Sequence, residues 1–339
     1  MEVTVMKLRW GVIGCGGIAK RTSLPRLVAA ENAELVAVQD INPAAVEDIR
    51  TTFGVKHGTT SAEELLALPD VDAVYIATPL FCHREQVLLA AKYKKHVLCE
   101  KPLGLCGDEV AEMIAACREA GVAFGAAFMA RFHDLHVKAK ELVEAGELGE
   151  IVSVKAQWSF DYPKGDNIWR QKKELGGGGA FMDVGTHCLD IVRFITGLEV
   201  TEVMALCGNQ FYDYTVEDHG QMLGRLSNGA TLYLSNNYNV STEPQRVEIC
   251  GRKAALFIQD SMVQDGTLSI TYNKRSAPED ISTPLPRTNA YTAEFEGFSR
   301  AVLNGEALPV PAEEGLIAQR IIDAAYESDR TGHRTPVKQ

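Results

Sequence analysis

Short apolar runs alternate with longer amphipathic segments over the first 125 residues of the chain. The apolar runs predict buried strands at residues 8–13, 35–39, 73–77, 96–98 and 123–125. Apolar positions at helical spacing predict intervening helices at residues 18–30, 43–53, 85–92 and 109–120. This repeated strand–helix–strand order predicts an α/β domain, a doubly wound parallel sheet of the Rossmann type with helices on both faces.

The pattern changes after a predicted connecting helix near residues 135–145. Alternating polar and apolar residues predict strands at residues 151–160, 200–207, 220–226, 230–238, 246–251 and 268–272. Further helices are predicted at residues 180–196, 291–303 and 311–328. We therefore expect two domains, residues 1–126 and residues 127–339, the second being α/β with a large open, mostly antiparallel sheet. The last helix is a candidate to pack back on the first domain.

Composition and charge narrow the class of protein. Of 339 residues, 46% are hydrophobic, which supplies enough apolar material for two globular cores. Lys and Arg number 34 against 45 Asp and Glu, and the net charge of −11 disfavours nucleic-acid binding. No apolar run reaches the roughly 20 residues of a membrane span, and residues 1–9 lack the apolar core of a signal peptide. We expect a cytoplasmic protein without membrane partners.

The turn after the first predicted strand carries a G-x-G-x-x-A pattern. Gly14 permits a tight turn, Gly16 lets the backbone approach a diphosphate, and Ala19 allows helix and strand to pack closely. Gly17 and Ile18 complete the turn at the start of the helix. The pattern predicts dinucleotide binding, although a glycine-rich turn without a ligand is the alternative.

Asp40 follows the second predicted strand, at the distance where dinucleotide-binding folds place an acidic residue. A carboxylate there accepts hydrogen bonds from the adenosine ribose hydroxyls and repels a 2′-phosphate. The next residues, Ile41 and Asn42, supply no compensating arginine. The sequence therefore predicts NAD in preference to NADP.

Two further segments carry candidate acid–base chemistry. Lys101, in Glu100-Lys101-Pro102, follows a predicted strand at the sheet edge where ligands bind, with a solvated lysine as the alternative. A glycine run at residues 176–179, which we expect to be mobile, precedes a helix on which Asp183 and His187 share one face. A histidine beside a carboxylate can exchange a proton near neutral pH, whereas an exposed ion pair with the same spacing has no catalytic role.

These motifs occur together in an order and spacing that resemble the glucose-fructose oxidoreductase, inositol dehydrogenase and rhizopine catabolism family, over nearly the whole chain. The resemblance implies hydride transfer between a nicotinamide cofactor and a secondary alcohol of a sugar, sugar derivative or cyclitol. It also implies a catalytic set of Lys101, Asp183 and His187, and homodimers or homotetramers built on the open sheet.

The resemblance implies a wider set of binding residues as well. Besides the glycine turn and Asp40, those implied to contact the cofactor are Thr78, Pro79, His83, Glu100, Lys101, Arg131, Trp169 and Arg170. Those implied to contact the substrate are Lys101, Tyr162, Asn167, Asp183 and His187.

Alternatives to a simple dehydrogenase stay open at this point. One is redox-assisted glycoside hydrolysis, in which hydride is taken and later returned. Another is a dinucleotide- or sugar-sensing regulator, which would have little reason to keep the three catalytic residues together. A metal site at His133-x-x-His136 or His187-x-x-Asp190 is the third, but no further ligand lies at a recognisable spacing, and we expect no metal.

Overall fold

The computed structural model describes residues 6–165, 168–261, 266–272, 278–282 and 288–338. The chain divides into two compact units. The first contains the chain up to Met129 together with Tyr291–Leu316, and the second contains Ala130–Ala290 and the chain from Ile317 onward.

A parallel sheet forms the centre of the first unit. Its described strands are β1 (Leu8–Ile13), β2 (Ala33–Gln39), β3 (His57–Thr59), β4 (Ala73–Ile76), β5 (His96–Glu100) and β6 (Phe124–Ala127). Their order is β3-β2-β1-β4-β5-β6, with every neighbouring pair parallel. All of β4 and all of β1 except Arg9 are buried, because helices cover both faces of such a sheet.

Helices connect these strands. They are α1 (Leu24–Ala29), α2 (Pro43–Phe53), α3 (Ala62–Leu66), α4 (His83–Lys92) and α5 (Gly107–Ala120). A π-helical turn, Ala19–Ser23, leads into α1, and a 3₁₀ segment, Leu80–Cys82, leads into α4. The side chain of Asn42 accepts a hydrogen bond from the Ala44 amide, and Gly54 ends α2 with φ +67°, which explains the agreement between predicted and observed bounds for α2.

The second unit is built on a mixed sheet. Its described strands are β7 (Ile151–Ser159), β8 (Val200–Gly208), β9 (His219–Leu226), β10 (Thr231–Asn237), β11 (Arg246–Gly251), β12 (Ala255–Gln259), β13 (Thr267–Thr271), β14 (Glu279–Asp280) and β15 (Thr335–Pro336). Their order is β14-β13-β12-β11-β7-β10-β9-β8-β15. All neighbours are antiparallel except β7 and β10. The predicted fold class is confirmed in both units.

Helices cover one face of this second sheet. A 3₁₀ segment, Met129–Phe132, precedes α6 (Asp134–Glu144), and a second one, Trp169–Gln171, precedes α7 (Lys173–Gly176). A π-helical turn, Phe181–Gly185, leads into α8 (Thr186–Thr196), which is almost wholly buried. Strands β3 and β12 and helix α3 were not predicted, because each is only three to five residues long and lacks a strong period.

The last two helices follow at α9 (Ala290–Asn304) and α10 (Ala312–Thr331). The ring of Phe295 lies 5.5 Å from that of Trp10 and 5.2 Å from that of Tyr75, and Trp10 donates a hydrogen bond to Ser299. This aromatic packing places Tyr291–Leu316 in the first unit. Tyr291–Leu316 lies within the predicted domain of residues 127–339, and it includes most of α9 and the first residues of the last helix, α10.

Within the parts of the chain that the structure describes, none of the helices combines the length and the apolar character that a membrane crossing requires.

Candidate functional site

The glycine turn after β1 leaves room where a diphosphate would lie. Gly14 has φ +98°, and a Cβ atom there would lie 2.9 Å from backbone atoms of Ala77, so only glycine fits. A Cβ atom on Gly16 would meet nothing within 4 Å. The turn thus packs closely against the end of β4 on one side and is open on the other, which fits a dinucleotide held by backbone N–H groups.

Asp40 is joined to this turn. Its carboxylate accepts hydrogen bonds from the amides of Cys15, at 2.8 Å, and Asn42, at 2.9 Å. A carboxylate has about four acceptor positions, so these two contacts leave capacity for ribose hydroxyls. The predicted turn and the predicted acidic residue therefore meet in one cluster.

Lys101 follows β5 in a loop that begins with a cis Lys101–Pro102 bond. The Glu100 carboxylate accepts hydrogen bonds from the Tyr75 hydroxyl and, at 3.3 Å, from the Lys101 amide. Tyr75 also lies 2.8 Å from the hydroxyl of Ser23, in the π-helical turn. Burial and the nearby Glu100 raise the pKa of Tyr75 well above its usual value, so the phenol stays protonated and donates. A buried chain of polar groups thus reaches the backbone of Lys101.

His83 connects two loops of the first unit. Its Nδ1 lies 3.0 Å from the carbonyl oxygen of Pro102, and its Nε2 lies 3.0 Å from that of Thr78. The side chain of Thr78 donates to Gln86 at 2.6 Å. His83 is only 2% exposed, and its two contacts join the Thr78–Pro79 loop to the loop that follows Lys101.

Asp183 and His187 lie where the π-helical turn passes into α8. Asp183 Oδ2 accepts a hydrogen bond of 2.7 Å from the Tyr238 hydroxyl and lies 3.9 Å from Arg170 Nε. The His187 ring centroid lies 5.1 Å from that of Trp158. His187 is only 7% exposed and the Asp183 side chain only 18%, which argues against an exposed ion pair. Burial and Asp183 raise the pKa of Tyr238, so its phenol also stays protonated.

The glycine run at residues 176–179, which we expect to be mobile, is closely packed at two of its positions. A Cβ atom on Gly178 would lie 1.8 Å from the hydroxyl oxygen of Tyr326, and one on Gly179 would lie 1.9 Å from the carbonyl oxygen of Glu217. Both glycines are buried. They are needed because other parts of the second unit approach the backbone closely, and the run is packed rather than open.

The remaining predicted residues of the second unit fall into three groups. Arg170 lies over the ring of Trp169 at 4.3 Å, and the Tyr162 ring lies 5.0 Å from that of Tyr238, beside Asp183. Arg131 forms a buried ion pair of 2.6 Å with Asp190. The Asp190 carboxylate, which was considered as a metal ligand, is therefore paired with an arginine. Asn167 lies outside the described residues.

His136, one of the histidines considered for a metal site, has other partners. His136 Nδ1 lies 2.7 Å from the carbonyl oxygen of Ala130, and Nε2 lies 2.8 Å from Ser261 Oγ. Burial lowers the pKa of His136 to about 3, so its ring is neutral. Among the residues that the structure describes, no group of three or more His, Cys, Asp or Glu side chains could hold a metal ion.

Sequence reasoning missed Glu217, Tyr238 and Tyr326. Tyr326 lies on α10, Glu217 precedes β9 and Tyr238 follows β10. All three are distant in sequence from the residues they contact, so no spacing in the chain connects them. The available signal was the glycine run itself, because buried consecutive glycines indicate that a bulky group packs on the backbone.

Comparisons with known proteins match both halves of the chain. The profile of the oxidoreductase family with an NAD-binding Rossmann fold matches residues 8–128, and that of the GFO/IDH/MocA C-terminal domain matches residues 136–257. The chain is 32% identical to D-xylose 1-dehydrogenase (NADP(+)) 2 of Haloferax volcanii, over 96% of this chain and 98% of that protein. It is 30% identical to myo-inositol 2-dehydrogenase of Thermotoga maritima, over 95% and 96%.

A solved structure resembles this one throughout. It is the aldose-aldose oxidoreductase from Caulobacter crescentus complexed with glycerol, with a TM-score of 0.90 and 28% identity. The match covers 97% of this chain and 99% of that chain, so both units have counterparts in one known protein.

Proposed function

This chain belongs to the GFO/IDH/MocA family of oxidoreductases with an NAD(P)-binding Rossmann domain, and we propose that it transfers hydride between the cofactor and a secondary alcohol of a sugar, sugar derivative or cyclitol. Relatives named for xylose and for inositol support a polyhydroxylated substrate. The observation that carries the proposal is the placement of Asp183 and His187 where the π-helical turn passes into α8, with both side chains largely shielded from solvent, unlike the exposed ion pair that their spacing also allows.

Each catalytic residue has a separate task. His187 takes the proton of the substrate hydroxyl during oxidation and returns it during reduction. Asp183 holds a neighbouring substrate hydroxyl or orients His187, while Tyr238 fixes its carboxylate. Lys101 donates a hydrogen bond to the reacting oxygen and stabilises the charge that develops there.

We propose NAD as the preferred cofactor. When bound, the nicotinamide ring accepts or donates the hydride. The glycine turn would hold the diphosphate, and Asp40 would hold the ribose, with Cys15 and Asn42 keeping its carboxylate in place. Since one relative is named for NADP(+), the preference needs its own test. We expect kcat/KM to be at least about tenfold higher with NAD+ than with NADP+; equal values would contradict the preference.

We also propose that two copies of this chain associate through the open face of the second sheet. Met204, Leu223 and Tyr233 lie opposite one another on β8, β9 and β10 and are exposed there. Exposed apolar side chains in such a row are typical of an interface. Light scattering should give a dimer or tetramer that Leu223→Lys shifts towards monomer, and a monomeric wild type would contradict this.

Eight free cysteines suit the reducing cytoplasm, the location we propose.

The activity is tested by absorbance at 340 nm with NAD+ and, separately, NADP+ across inositols, aldoses, sugar acids and anhydrosugars. A rise with one class of polyol supports the dehydrogenase and names its substrate class. Release of a leaving group without NADH would instead indicate redox-assisted hydrolysis. Silence with every substrate, despite measured dinucleotide binding, would favour a regulator.

A further inference from the structure

Two adjacent buried carboxylates, Glu217 and Asp218, directly precede strand β9 in the second unit, and neither has a role in the reaction described above. Glu217 is 8% exposed and Asp218 is fully buried. Their side chains contact different segments of the unit, and each segment bears on a different part of the proposed chemistry.

Glu217 holds the backbone that leads into the helix of Asp183 and His187. Its Oε1 accepts hydrogen bonds from the amides of Gly179, at 2.8 Å, and Phe181, at 3.1 Å. The same oxygen accepts a bond of 2.8 Å from the Tyr326 hydroxyl. One turn further along, the Asp183 amide donates to the Gly179 carbonyl at 2.9 Å. The position of Asp183 therefore depends on a segment fixed by one carboxylate.

Asp218 holds a different segment, the loop at residues 209–214. Its carboxylate accepts hydrogen bonds from the amides of Gln210, Phe211 and Tyr212, at 3.0, 2.8 and 3.0 Å. The side chains of His219, at 2.9 Å, and Asn239, at 3.0 Å, complete its contacts. Three successive amides on one carboxylate fix the course of this loop, because releasing it would leave a buried charge without partners.

The loop carries aromatic rings to the neighbourhood of Asp183. The rings of Tyr212 and Tyr214 stack with centroids 5.2 Å apart. Tyr214 belongs to a buried aromatic cluster with Tyr238, against which Tyr162 packs, and Tyr238 donates to Asp183. Aromatic rings of this kind provide apolar faces and hydroxyl groups, both of which suit a sugar ring.

We propose that Glu217 and Asp218 are positioning residues with separate tasks: Glu217 sets the place of Asp183 and His187 for the chemical step, and Asp218 sets the aromatic loop at residues 209–214 that binds the sugar. The inference rests on the proposed function. Misplacing proton-transfer groups lowers kcat, whereas loosening a binding surface weakens substrate and transition state alike and raises KM. Substitution of Glu217 should therefore mainly lower kcat, and substitution of Asp218 should mainly raise KM.

The test compares Glu217→Gln with Asp218→Asn on the substrate found at 340 nm. We expect Glu217→Gln to lower kcat about tenfold or more with KM changed less than about threefold. We expect Asp218→Asn to raise KM about fivefold or more with kcat changed less than about threefold. Variants that change kcat and KM alike, or that match wild type, would overturn the proposal.

Control variants separate positioning from general damage. Tyr326→Phe removes one of the three donors to Glu217 and should lower kcat less than Glu217→Gln does. Glu202→Gln, on β8, removes a carboxylate paired with the exposed Arg225 and should leave both constants unchanged. An equal loss in Glu202→Gln would mean that any carboxylate of this sheet has the same effect, and would overturn the proposal.

Amide hydrogen exchange provides a readout that needs no activity. Glu217→Gln should speed exchange at residues 179–185, and Asp218→Asn should speed it at residues 210–212, with little effect of either on the other segment. If wild type proves inactive, the proposed function fails while this separation of the two segments can still hold. Exchange that rises together in both segments would overturn the separate tasks.

Discussion

Two glycine-containing segments, one in each unit, lead into a π-helical turn, yet their glycines serve opposite purposes. In the first unit, a Cβ atom on Gly16 would point into open space, whereas in the second unit one on Gly179 would overlap the carbonyl oxygen of Glu217. One glycine leaves room for a ligand and the other leaves room for the protein. A glycine pattern therefore predicts where a functional helix begins, but only the packing around it shows what occupies the space.

The largest expected effect tests whether proton transfer depends on His187 of the second unit while the first unit binds the dinucleotide. His187→Ala should lower kcat by about 10²- to 10⁴-fold, because it removes the proposed base, while the dinucleotide affinity of the first unit stays unchanged. Stopped-flow turnover and NADH fluorescence titration measure the two quantities. Near-normal turnover would remove His187 from the role of base.

The second prediction compares the two glycines directly. Gly16→Ala should leave the thermal midpoint unchanged, because a Cβ atom there meets no protein atom within 4 Å. It should weaken NADH binding by about tenfold or more, because the methyl group would enter the space proposed for the diphosphate. Gly179→Ala should lower the thermal midpoint and the activity, because its methyl group overlaps backbone. Calorimetry and NADH titration on both variants check this. A lower thermal midpoint for Gly16→Ala than for Gly179→Ala would contradict this prediction.

A smaller effect is expected in the first unit from Tyr75→Phe. Phenylalanine keeps the packing against Phe295 but removes the hydroxyl that donates to Glu100, so the loop of Lys101 loses one support. We expect a decrease in kcat of a few fold, about 1 kcal/mol for one hydrogen bond, with NADH affinity retained. The same decrease in a control such as Tyr93→Phe would show that the hydroxyl of Tyr75 has no special part.

The smallest effect concerns pH and the neighbouring carboxylates of the second unit. Burial alone would raise the pKa of Asp218, but hydrogen bonds from His219 and from the amides of residues 210–212 outweigh it and lower that pKa. Burial raises the pKa of Glu217. Asp218 therefore contributes stability above its unfolded pKa that is lost as the pH falls through its lower folded value. Glu217 contributes stability at low pH that is lost as the pH rises through its raised folded value.

Urea unfolding between pH 3 and 7 distinguishes these two signs. The stability difference between wild type and Asp218→Asn should shrink as the pH falls below about 4, because the Asp218 carboxyl then takes up a proton in the unfolded state before it does so in the folded state. The stability difference between wild type and Glu217→Gln should instead grow in favour of wild type as the pH falls. Two parallel profiles would contradict the assignment.

The sequence predicted the structural features that depend on residues close together along the chain. The turn at Gly14 and the acidic residue Asp40 follow from local strand, turn and helix signals, and the structure joins them through the Cys15 amide. Helix α2 has its predicted bounds because Asn42 and Gly54 cap it. By contrast, Glu217, Tyr238 and Tyr326 reach the helix of Asp183 only through tertiary packing, and nothing in their own spacing indicates that contact.

The return of α9 to the first unit has a consequence for synthesis on the ribosome. The surface of Trp10 and Tyr75 that Phe295 covers emerges with the first 129 residues, but its cover is translated only after the whole of Ala130–Ala290. At typical elongation rates that interval is on the order of ten seconds. During this interval the apolar surface of Trp10 and Tyr75 is not yet covered by Phe295. We therefore expect chaperones to bind the nascent chain before its synthesis is complete.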